Sequence, residues 1–85
     1  MHFIEFHHFY FRYKKNKEYQ TATDSLKNAL KIFENEPLVY YHLGLLYKDM
    51  EKKQEAIAAF EKVRLYAPDS DLSYLAAQYL ELLRN

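Results

Sequence analysis

Residues 40–68 read YYHLGLLYKDMEKKQEAIAAFEKVRLYAP, and their spacing decides the fold. Tyr40, Leu43 and Tyr47 recur at three and four residues, as do Ala56, Phe60 and Val63, so each set lines one face of a helix. Gly44 and Ala56 are small at the points where two antiparallel helices joined by a short turn come closest; a larger side chain there would push the pair apart. Pro68 ends the second helix, Asp69 or Ser70 can cap the next, and Pro37 opens the first after Glu34-Asn35-Glu36.

The same pattern returns on either side of this stretch. At a shift of 34 residues, Phe3 to Glu36 lies over Pro37 to Ser70 and pairs His8 with His42, Tyr13 with Tyr47, Gln20 with Gln54 and Ala22 with Ala56. The substituted pairs keep their character: Phe6 with Tyr40, Phe9 with Leu43, Leu26 with Phe60, Ala29 with Val63. The first copy departs at Tyr10, which stands where the second has Gly44 and so implies looser or shifted packing. Asp71 to Asn85 starts a third copy, with Tyr74 and Ala77 in register and Gln78 at the glycine position.

Tyr40-x2-Leu43-Gly44-x2-Tyr47, followed by Ala56-x3-Phe60 and Pro68, resembles a tetratricopeptide repeat, with Tyr40 in place of the usual tryptophan. The resemblance covers nearly the whole chain. It implies an all-α right-handed solenoid of antiparallel helix pairs in one domain: a degenerate repeat over 3–36, a second over 37–70, and a partial repeat or capping helix over 71–85. About five helices are expected, near residues 2–16, 19–34, 37–50, 53–66 and 70–84.

Composition agrees with an all-helical chain. One glycine and two prolines among 85 residues leave few helix breakers. Twelve basic and twelve acidic side chains cancel, which removes the long-range attraction that nucleic acid or an acidic membrane would require. Lys14, Lys15, Lys17, Lys48, Lys52 and Lys53 fall near expected helix ends, where cations suit the helix dipole. There is no cysteine and no apolar run long enough to span a membrane, and Glu5, His7 and His8 interrupt any secretion signal at the start. The reading is a soluble, cytoplasmic protein.

No catalytic arrangement or cofactor is expected: Ser25, Ser70 and Ser73 lack a nucleophile context, and there is no glycine-rich phosphate loop. His7 and His8 point about 100° apart on a helix and cannot share one ion. His8 and His42 occupy equivalent positions on neighbouring helices, with Glu5 nearby, but the i, i+4 spacing of helical zinc motifs is missing.

What remains is binding. The resemblance implies a concave face lined by the first helix of each pair: Ile4, His7, Phe11, Lys14 and Lys15, then Leu38, Tyr41, Leu45, Lys48 and Asp49, and from the last helix Leu72, Leu75, Tyr79, Leu82 and Leu83. It also implies that a clamp for acidic peptide tails is absent, because His7, Phe11, Leu38, His42, Leu72 and Ala76 stand where lysine, arginine and asparagine would be required. An apolar or aromatic peptide, or an amphipathic helix, suits this lining. Leu72, Leu75, Ala76, Tyr79 and Leu83 form an apolar stripe on the last helix. Either that helix rotates to pack its leucines on the preceding pair, or Leu72, Leu75, Tyr79 and Leu83 meet another molecule, such as a second copy or a neighbouring repeat.

The expected function is a non-catalytic protein-interaction module that also self-associates. The alternative is an assembly piece of a longer solenoid, and a weaker one is a metal- or nucleic-acid-dependent accessory protein.

Overall fold

A computed structural model describes the backbone of residues 2–85 and the side chains of residues 17–85. It contains four helices: α1 (His2–Ile32), α2 (Pro37–Asp49), α3 (Lys53–Tyr66) and α4 (Asp71–Arg84). The chain is all-α, as expected. The count is four because the first two expected helices run together: where the sequence reading placed a break near residues 17 and 18, α1 is continuous.

The residues at that point permit this without requiring it. Lys14-Lys15-Asn16-Lys17-Glu18 contains no glycine or proline, and Lys and Glu are good helix formers, so nothing local ends the helix. The equivalent stretch after α2 does turn, and at a cost. Glu51 sits at φ 62° in the left-handed region, closing a Schellman motif in which Lys52 N–H donates to the Tyr47 carbonyl at 2.8 Å and Glu51 N–H to that of Lys48 at 3.1 Å. A non-glycine residue there costs about 1–2 kcal/mol. The turn survives because it delivers α3 onto α2.

That packing is the core. Ala56, Phe60 and Val63 of α3 are fully buried, together with Ala76 and Leu80 of α4, and Leu43 and Gly44 of α2 close the other side. A Cβ on Gly44 would lie 2.7 Å from two atoms of the Phe60 ring, well inside van der Waals contact. The sequence reading of Gly44 as a close-approach residue is therefore met by a specific partner. Tyr40 reaches the far end of α3, where its ring lies 5.7 Å from that of Tyr66.

The other turns follow their sequence signals. Asn35, a residue that tolerates the left-handed region, takes φ 63° between α1 and α2. Pro37 begins α2, whose N-terminus is capped by the Glu36 carboxylate accepting from Leu38 N–H at 3.3 Å. Ser70 caps α4: its Oγ accepts from Ser73 N–H at 3.1 Å and donates to the Ala67 carbonyl at 2.8 Å.

Among the described residues α1 packs on α2, burying Thr23, whose hydroxyl donates back to the Gln20 carbonyl at 2.9 Å. At the opposite end, α4 turns Ser73, Ala76 and Leu80 inward and leaves Tyr74, Gln78 and Glu81 exposed. These last three match Tyr40, Gly44 and Tyr47 in register, the face on which a further second helix would pack. Gln78 and Glu81 solvate it.

Candidate functional site

The face shared by α2 and α4 gathers three aromatic rings. Phe60 forms the floor; Tyr79 stacks on it at 5.0 Å and 7°, and Tyr41 meets it edge-on at 6.0 Å. Tyr41 and Tyr79 also touch each other across the face, with centroids 6.3 Å apart. Each such contact contributes about 0.5–1.5 kcal/mol beyond the area it buries, so the three rings form a rigid platform.

A cation stands at one end. Lys48 Nζ lies 5.8 Å from the centre of the Tyr79 ring and 3.4 Å from the Asp49 carboxylate, in the last turn of α2 where the helix dipole favours positive charge. The Tyr41 phenol is raised above its ordinary pKa, first by burial, then by the charge and hydrogen bonding of the Tyr79 hydroxyl beside it. The Tyr41 hydroxyl stays protonated at neutral pH, and the two hydroxyls offer polar contacts on an apolar surface. Leu38 is 49% exposed and Leu75 40%, while Leu45, Leu72 and Leu83 are half-buried against the core. Physically the face offers aliphatic and aromatic contact area, two phenol groups and one ammonium.

Tyr41 and Lys48 come together through Tyr79; Leu38 lies at the start of α2, and Leu45 faces both this platform and α1. The side chains of Ile4, His7, Phe11, Lys14 and Lys15 lie outside the described residues, as do those of Glu5 and His8, so the pairing of His8 with His42 does. Among the described residues, no three His, Asp or Glu side chains come close enough to hold a metal ion. Of the α4 stripe, Ala76 is in the core and Leu72, Tyr79 and Leu83 pack against it, which leaves Leu75 as its most exposed member.

A second concavity was not anticipated. Between α1 and α2 lies an open cleft of about 460 Å³, lined by Ala22, Ser25 and Leu26 on one side and His42, Leu45, Leu46 and Asp49 on the other. The signal for it was present in the 34-residue register. Moved by 34, these seven become Ala56, Ala59, Phe60, Ala76, Tyr79, Leu80 and Leu83, residues of the closed α3–α4 packing. The cleft is the first unit's version of the core, without the helix that closes it in the second. Lys27 of α1 also reaches α2: its Nζ is 5.8 Å from the Tyr47 ring, and its pKa is raised by a hydrogen bond to the Tyr47 hydroxyl and then by the charge of that group.

A third hollow of about 340 Å³ lies where α3 and α4 meet, lined by Arg64, Leu65, Pro68 and Arg84 among others. The Arg84–Glu61 ion pair at 3.2 Å crosses it, and both partners are more than half exposed. Such a pair adds little stability.

Comparison with known families matches residues 14–79 to the family described as tetratricopeptide repeat. The chain belongs to the tetratricopeptide-repeat family. Proteins of this family are in general non-catalytic modules that bind other proteins. The matched interval takes in the second half of α1, all of α2 and α3, and most of α4, so the tetratricopeptide pattern covers the Tyr41–Tyr79 platform and the α1–α2 cleft together. No curated protein and no solved structure matches the chain. Among the described residues, no helix is long and apolar enough to cross a membrane.

Proposed function

We propose that this chain is a non-catalytic interaction module that receives an apolar or aromatic peptide, laid as a short helix, on the face shared by α2 and α4. The observation carrying this reading is the Tyr41–Tyr79 pair seated on Phe60 with Lys48 at its end. A rigid aromatic platform loses little conformational entropy on binding, and aromatic residues dominate the energetics of protein interfaces. Leu38 and Leu75 widen it with exposed aliphatic surface. The occupant that fits carries two or three apolar anchors at i, i+3 or i+4 and i+7, and a carboxylate that replaces or joins Asp49 at Lys48.

Selection from a displayed peptide library, followed by titration of the selected peptides, tests this. Tyr41→Ala should weaken binding by at least tenfold, and Lys48→Glu should select against acidic peptides. Equal affinity of the parent and of a Leu38→Ser, Leu75→Ser double variant would overturn the assignment.

The alternative, an assembly piece of a longer array, draws on the half-open α1–α2 cleft. A chain produced with further repeats before residue 1 would then melt higher and more cooperatively than residues 1–85 alone. Self-association through α4 would fall mainly on Leu75, since its companions are engaged with the core.

A further inference from the structure

The cleft between α1 and α2 has the lining of a closed core and lacks the helix that closes one. In the second unit that helix is α2, which sets Gly44 against Phe60 and Tyr40 against Tyr66. In the first unit the residues in register are Tyr10 against Leu26 and Phe6 against Ile32. The sizes are complementary at the closest approach: Gly44 faces the large Phe60 in the second unit, and the large Tyr10 is in register with the smaller Leu26 in the first. Ile32, the counterpart of half-buried Tyr66, is 75% exposed in the single chain. A segment whose sequence fits the cleft therefore exists in this protein, over residues 3–16.

It cannot reach the cleft from within the same chain as folded here. α1 is continuous from His2 to Ile32, and at 1.5 Å per residue positions 10 and 26 lie about 24 Å apart along it. We propose that the cleft is filled by residues 3–16 of a second copy, so that two chains exchange their first segments along paired, antiparallel α1 helices.

The register supports a closed arrangement. α2 runs antiparallel to α3 across their short turn, so the segment that imitates α2 must run antiparallel to the second half of α1. The midpoints of 10 with 26 and of 6 with 32 fall at 18 and 19, which places the two-fold axis beside Glu18 and Tyr19, and each chain then offers the other the same contacts. Ile4, His7, Phe11 and Lys14 of the second copy are the register counterparts of Leu38, Tyr41, Leu45 and Lys48, so exchange would also lengthen the α2–α4 binding face with matching residues. The exchange itself stands independently of the peptide reading, which concerns α2 and α4.

Light scattering on the unmodified chain tests the stoichiometry, with an expected mass twice the 10.3 kDa of one chain. The natural absence of cysteine makes the register testable as well. Chains carrying Tyr10→Cys alone and Leu26→Cys alone, mixed and oxidised, should give a disulfide-linked pair of doubled mass that neither gives alone. A Leu26→Asp chain should show half the parent mass. A parent chain that remains monomeric at high micromolar concentration overturns the proposal. So does a dimer in which the mixed chains do not cross-link, or a doubly substituted chain that closes its disulfide within itself.

Discussion

The two second helices of the repeat, one forming the latter half of α1 and the other α3, carry nearly the same pattern and meet different fates. Ala56, Phe60 and Val63 are wholly buried between α2 and α4, whereas their counterparts Ala22, Leu26 and Ala29 are half-buried and, among the described residues, face α2. Burial here is set by neighbours rather than by the helix's own residues. A repeat helix needs one helix on each side, and of these two second helices α3 has both among the described residues.

The sharpest way to break the comparison is to cut the same atoms from both. Phe60→Ala should cost about 3–5 kcal/mol, most of what a domain of this size has, and thermal denaturation should show little folded protein. Leu26→Ala should cost less than half as much in a single chain; a loss as large as that of Phe60→Ala, falling with dilution, would show that the cleft is filled in solution. Next in size is Gly44→Ala. Its added methyl collides with a ring held between Tyr41 and Tyr79, and overpacking of about 1–3 kcal/mol outweighs the gain of about 1 kcal/mol in helix propensity. Chemical denaturation would settle whether the net change is destabilising.

Smaller effects sharpen the contrast between the turn that forms and the one that does not. Glu51→Gly should stabilise the chain by about 1 kcal/mol, because glycine relieves the left-handed backbone strain. Lys17→Gly, at the matching place in α1, should instead lower helicity by circular dichroism, since no turn is there to favour. The smallest effect is alkaline. Burial and Tyr79 raise the Tyr41 phenol, so its share of stability is intact below about pH 10 and is lost as the pH climbs through the raised value. Melts of Tyr41→Phe across that range should fall less steeply than those of the parent.

Much of this was legible in the residues. Helix class, the 34-residue register, the closeness of Gly44 to its neighbouring helix and the caps at Pro37 and Ser70 all follow from local chemistry with short reach. Continuity of α1 was not legible, because Lys14 to Glu18 is compatible with either a helix or a turn and the choice depends on packing. The role of Tyr79 was displaced for a related reason. Register sets it on the concave face with Tyr41 and Lys48, but its stack on Phe60 and its contact with the Lys48 ammonium emerge only from the approach of α4 to α2. Glu51 gave no signal at all, since glutamate is an unexpected residue for a left-handed turn.

The exposed Gln78 and Glu81 on α4 have a consequence for stoichiometry. They make the last helix a poor seat for another repeat, while the α1 end offers an apolar one. A unit that can join at one end only has a valence of one: if copies meet through α1, they close as pairs, and raising the concentration adds more pairs, not longer fibres.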